Sequence, residues 1–213
     1  MTELARERFG TDERVLLYEL NHRINNEFAA AISLLSLAAT RSRDENVKAA
    51  LTGAGELLYH YADVHHALQM PENDIPIDAA AYLHRLCLSI SRSKLDQREI
   101  RLVLSVQSLT LQAQRCWRLG MIVNELITNA VRHTFESGTG EIHVTVCRDG
   151  EFVKCGVKDN GSAASNIRLG QGPRIAERLS TALGGRIEQK FGPYGSAAAL
   201  IFPYHGGPGR SPA

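Results

Sequence analysis

From residue 12 to about residue 41 the chain holds neither glycine nor proline. Over that span Leu17, Leu20, Ile24, Phe28, Ala31, Leu35 and Ala38 recur at alternating steps of three and four, a spacing that predicts one amphipathic helix of about thirty residues. Asp44 is placed to cap a second helix reaching about residue 70, with Val47, Leu51, Ala54, Leu58, Tyr61, His65 and Leu68 in a heptad-like register. So short a connection makes the two helices antiparallel neighbours. One partner helix does not cover either stripe. A second copy of the hairpin, giving a four-helix homodimer, is the expected solution, set against a monomeric hairpin packed on its own C-terminal half.

The pattern changes at the segment PENDIPID, residues 71–78, which reads as a linker. Beyond it the spacing predicts a helix over 79–94, a strand over 100–106 and a helix over 112–134. A hairpin over 141–148 and 151–158 turns at Asp149-Gly150. Residues 173–183 read as a helix closed by Gly184-Gly185, and a final hairpin runs over 186–191 and 196–202. The helices then share one face of a mixed sheet. The fold class is therefore α+β: a helical hairpin over 1–70, an α/β sandwich over 79–204, and a disordered tail over 205–213.

Composition narrows the partners. With 24 basic and 23 acidic residues in 213, no field over the whole molecule argues for nucleic acid or an anionic membrane. The longest nearly apolar stretch, 28–39, is interrupted by Ser33 and Ser36 and is too short to cross a bilayer. The first ten residues carry acidic side chains and no apolar run, so no secretory signal is read and a cytoplasmic protein is expected. Cys87, Cys116, Cys147 and Cys155 lack paired spacing and read as reduced thiols.

Candidate chemistry gathers at two places. On the first helix His22 falls roughly 150° from the centre of the apolar stripe, and Glu19 and Asn26 share its face. An exposed imidazole held in one tautomer by such neighbours has its other nitrogen free to attack phosphorus. Spacing alone does not separate that role from an ordinary solvated histidine.

On the helix over 112–134, Glu125, Asn129 and His133 stack at four-residue steps with Arg132 beside them. A polar stripe on an otherwise buried helix lines a cavity or faces bulk solvent, and its oxygen ligands suit magnesium. Asp159 ends a strand before Asn160-Gly161, where a carboxylate can accept from an adenine amino group and glycine lets a ligand approach. Gly170 and Gly172 open a helix whose first N–H groups attract phosphate. Pro173 deletes one of those donors, and Arg174 offsets part of the loss with a charged contact.

NHRINNEF, with His22, Arg23 and Asn26, resembles the acceptor segment HRVKNNL of one subfamily of sensor histidine kinases, with Asn25, Glu27 and Phe28 as departures. GMIVNELITNAVRH resembles the same group's nucleotide-site helix, and VKDNG its adenine-binding strand end. The resemblance covers about residues 15–203. It implies a dimerisation and phosphotransfer hairpin followed by a Bergerat-type ATP-binding sandwich of the kind shared with gyrase. By that likeness His22 accepts the phosphoryl group, Asn129 helps hold magnesium, and Asp159 reads adenine. Glu125 orients a magnesium-bound water or assists proton transfer, and Arg132 or His133 meets the phosphates. The group then passes to an aspartate of a response-regulator receiver domain, with a separate sensor protein as a possible source of input. Two departures mark the lid: only eight residues separate Gly161 from Gly170, and Pro173 follows. An ATP-dependent autokinase is the first expectation. A relay phosphotransferase that does not bind ATP is the alternative, and an ATPase or serine kinase of the same nucleotide fold is the third.

Overall fold

The computed structural model describes residues 3–135, 139–161, 172–192 and 194–204, with side chains described from residue 15 onward except at 133, 172 and 173. It divides into two compact units, Met1–Gln69 and Met70–Ala213. Among the described residues no helix is long and apolar enough to cross a membrane.

The first unit is an antiparallel hairpin of α1, Glu3–Arg41, and α2, Glu45–Ala67. Asp44 caps α2, one carboxylate oxygen accepting from the N–H of Asn46 at 2.8 Å and of Val47 at 3.4 Å. The first helix begins earlier than its apolar pattern, running through Gly10, because one internal glycine costs a helix only about 1 kcal/mol. Within the described hairpin only Ala39 and Val64 are buried. Leu20 and Leu34 are 52% and 67% exposed, so the two helices cover only one flank of each other.

The second unit contains β1, Pro76–Asp78; α3, Ala79–Ile90; β2, Ile100–Val106; β3, Thr110–Gln112; and α4, Ala113–His133. There follow β4, Gly140–Asp149; β5, Phe152–Asp159; α5, Gly172–Ala182; β6, Arg186–Gly192; and β7, Gly195–Pro203. Five strands form one sheet in the order β2-β4-β5-β7-β6. The β2 to β4 pairing is parallel and the others are antiparallel. A parallel neighbour needs a crossover, which α4 supplies. Alternation along β4 and β5 sends Ile142, Val144, Val146, Val153, Cys155 and Val157 into the core, and leaves His143, Thr145, Lys154 and Lys158 exposed on the opposite face. Leu83, Leu86 and Ile90 of α3 and Leu119, Ile122 and Ile127 of α4 complete that core. The helices thus lie on one face of a mixed sheet, and the α+β expectation holds.

Three details differ from the periodicity. The segment expected as a linker contains β1, antiparallel to β3, and three-residue strands are too short to show alternation. Its last residue, Asp78, caps α3 by accepting from the N–H of Ala80 at 2.8 Å. The helix expected over 79–94 stops at Ile90 and widens into a π-turn, Ser91–Leu95, followed by a 3₁₀ turn, Asp96–Arg98. Ile90 and Leu95 are both fully buried. They are five residues apart, and i→i+5 geometry is what returns the second to the face of the first.

Candidate functional site

The candidate residues fall into two groups, one in each unit. In the hairpin His22 and Asn26 are exposed on one face of α1, with His22 Nδ1 at 3.2 Å from the Asn26 carboxamide. Nδ2 is the amide atom that faces the ring, its N–H directed at Nδ1. Glu19 is engaged elsewhere: Arg23 Nε donates to its carboxylate at 2.8 Å, which holds the Glu19 carboxyl below its ordinary value. The carboxamide, not the carboxylate, is the group that touches the imidazole.

In the second unit α4 presents Glu125 half-buried, Asn129 8% exposed and Arg132 exposed. Asn129 Nδ2 is buried and has no hydrogen-bond partner among the described residues. Such a group costs roughly 1–3 kcal/mol, and its N–H calls for an acceptor such as a water or a ligand oxygen. Its side-chain oxygen together with the Glu125 carboxylate fits magnesium, which takes few protein ligands and keeps phosphate oxygens and water as the rest.

The end of β5 lies against the last turn of α4. A Cβ added at Gly161 would stand 2.3 Å from the Thr134 carbonyl oxygen, so only glycine permits this approach. Asn160 fastens the corner to β4: its side-chain oxygen accepts from Glu141 N at 2.8 Å and its N–H donates to Glu141 O at 3.2 Å. Asp159 is 2% exposed. One of its oxygens accepts from Gly161 N at 3.0 Å. The other accepts from Ser196 N at 3.2 Å and from the Ser196 hydroxyl. Each carboxylate oxygen has two lone pairs, so acceptor capacity remains for a further donor.

Ser196 and Lys94 were not found from the sequence. Ser196 follows Gly195, whose φ is 117° and where a Cβ would stand 2.1 Å from Asp159 O; a glycine before a polar residue at a strand start was the available signal. Lys94 donates to Asn124 and Thr128 on α4. Arg174 is exposed in the first turn of α5. Gly170 and the rest of the lid lie outside the described residues, as do the side chain of His133, the surroundings of Gly172 and Pro173, and the tail over 205–213.

Residues 19–94 match the family described as histidine kinase, and residues 93–187 that described as histidine kinase-like ATPase domain. The chain carries a sensor histidine kinase catalytic core. His22 of this histidine kinase core lies in the first match, and Glu125, Asn129 and Asp159 in the second. The core is 25% identical over 201 residues to blue-light-activated histidine kinase 2 of Erythrobacter litoralis, covering 88% of this chain and 56% of that protein. It is 26% identical over 164 residues to the sensor histidine kinase PdtaS of Mycobacterium tuberculosis, covering 76% of this chain and 32% of that one. The chain therefore spans little more than half the length of the first relative and about a third of the second. Among solved structures, the histidine kinase domain of an Erythrobacter litoralis blue-light activated histidine kinase aligns with a TM-score of 0.57 at 22% identity, over 91% of this chain and 93% of that one. A bacterial phosphotransferase aligns with a TM-score of 0.61 at 10% identity, over 94% and 97%. These two likenesses establish the shared fold.

Proposed function

We propose that this histidine kinase core phosphorylates itself on His22 with magnesium ATP and passes the group to an aspartate of a response-regulator receiver domain. The supporting observation is Asn129: a buried amide N–H without a partner among the described residues, free to donate to a phosphate oxygen, on the helix face that also carries Glu125. In this reading residues 1–70 form the dimerisation and phosphotransfer unit and residues 79–204 the nucleotide unit. Magnesium, when bound, supplies charge neutralisation at the β- and γ-phosphates. Asn129 would hold it through its side-chain oxygen, and Glu125 would orient its water. Asp159, steadied by Gly161 and Ser196, accepts from the adenine amino group, while Arg132 and Arg174 meet phosphate oxygens. His22 Nε2 attacks the γ-phosphorus as the bond to the bridging oxygen breaks and ADP departs. Attack by Nε2 uses the tautomer with its proton on Nδ1; the Asn26 side-chain oxygen accepts that proton once its amide turns over, and so steadies the positive charge arising on the ring.

A homodimer through the hairpin belongs to the same reading. Its support is the exposed flank bearing Leu20, Leu34 and Leu37, and a cavity of ≈650 Å³ lined by residues of both helices, among them Ile32, Ser36, Leu51 and Tyr59. The relay alternative rests on the short lid and Pro173. It leaves Asn129 and the buried Asp159 without a task.

Incubation with γ-labelled ATP and magnesium tests the proposal. Acid-labile, base-stable label is expected on the wild type and absent from His22→Ala and Asp159→Asn. An unlabelled wild type, or full labelling of His22→Ala, overturns it.

A further inference from the structure

Lys94 belongs to the π-turn Ser91–Leu95, the only π-helical segment among the described residues. The wide turn is anchored by the fully buried Leu95 and the buried Ser93 on either side, and it swings Lys94 onto α4. Its Nζ donates to Asn124 Oδ1 and to Thr128 Oγ1, each at 3.2 Å. These acceptors stand on successive turns of α4, each one position ahead of Glu125 and Asn129 respectively. At about 100° per residue they mark the flank adjoining the candidate ligand face.

The placement is costly for a lysine. Burial pushes its ammonium below the ordinary lysine value, and the carboxylate acting against that shift is Glu125. A hydroxyl and a carboxamide satisfy two of its three donors but do not neutralise its charge. Filling space needs no ammonium, since a methionine would pack there without desolvating a cation. A cation spanning two turns of one helix does something an apolar chain cannot: it fixes the rotation of α4 about its own axis against the π-turn.

We propose that Lys94 is a positioning residue for phosphoryl transfer, locking α4 at the rotation that turns Glu125 and Asn129 toward a magnesium-bound polyphosphate. The proposal rests on the nucleotide reading above. It is tested on the full chain with wild type, Lys94→Met and Lys94→Arg, by calorimetric titration of ATP with and without magnesium, alongside the rate of His22 labelling and thermal unfolding. Without magnesium, Lys94→Met binds ATP as the wild type does. The gain in affinity that magnesium confers falls by about tenfold or more, the usual scale for losing a group that orients a metal ligand. The labelling rate at saturating ATP falls with it, the unfolding temperature is held, and Lys94→Arg recovers most of both. A full magnesium gain in Lys94→Met overturns the proposal. So does an equal loss with and without magnesium accompanied by a lower unfolding temperature, which marks a purely structural clamp, or a Lys94→Arg as poor as Lys94→Met. A wild type that binds no ATP at all removes the nucleotide reading and this one together, whereas wild-type binding with an unaltered Lys94→Met removes this one alone.

Discussion

Ser196 directs both its backbone N–H, at 3.2 Å, and its hydroxyl to one oxygen of Asp159, 37 residues away in sequence. The start of β7 thereby sets the carboxylate's orientation from the neighbouring strand. Ser196→Ala keeps the N–H and loses the hydroxyl. A hydrogen bond to a charged group is worth about 1.5–3 kcal/mol, so ATP affinity should fall by about tenfold or more, with Asp159→Asn more severe. Calorimetry decides, and a Ser196→Ala that binds like the wild type refutes the assignment.

Two glycines should respond in opposite senses to alanine. At Gly161 the new Cβ meets the Thr134 carbonyl at 2.3 Å, a backbone group with little room to yield, and the expected loss is about 1–3 kcal/mol. At Gly53, inside α2, a Cβ meets nothing within 4 Å, and alanine should stabilise the helix by about 0.5–1 kcal/mol. Urea unfolding of each variant provides the comparison.

Asn26 divides by substitution. Asn26→Asp retains an acceptor for Nδ1–H and should keep most labelling of His22. Asn26→Leu has none, and losing one orienting hydrogen bond of about 1.4 kcal/mol costs about tenfold in rate. Equal rates for the two variants would show that the carboxamide does not set the tautomer.

The thiols predict an alkaline limit. Burial pushes Cys87, Cys116 and Cys155 up to about 12 from an ordinary 9.0. An acid whose folded value is raised contributes stability that is whole below its unfolded value and is lost as pH rises toward the folded one. The second unit should therefore lose stability progressively from about pH 9 upward, measurable as a falling unfolding temperature. Cys147 is exposed, so at neutral pH it alone should react quickly with a disulfide reagent. Two or more fast thiols would contradict this.

Leu34, 67% exposed, is a direct probe of assembly. Leu34→Glu should convert a dimer to a monomer in light scattering and reduce helix content, because the hairpin buries so little by itself. A wild type that stays monomeric at every concentration disproves the dimer.

Long, regularly spaced elements were legible from the chain. The α1 and α2 stripes repeat over many turns, and Asp44 had the position and chemistry of a cap. Glu125 and Asn129 were readable as neighbours from helical geometry. That the Asn129 amide N–H is left without a partner among the described residues was not, since it depends on what packs around it. Spacing put Glu19 on the His22 face, yet spacing does not rank partners, and Arg23 is the group that binds the carboxylate. Ser196 escaped because its link to Asp159 arises from the register of β5 against β7. Lys94 escaped because the five-residue step from Ile90 to Leu95 breaks the 3.6 period that defined the helix.

The sheet order has a bearing on how the chain reaches its native state. The last of these five strands in chain order, β7, sits between β5 and β6 and hydrogen-bonds to both. While the ribosome still holds that segment, β6 has no neighbour and Asp159 lacks its serine. The hairpin, built from contacts close in sequence, can form early, whereas the sheet of the second unit closes only after β7 has emerged.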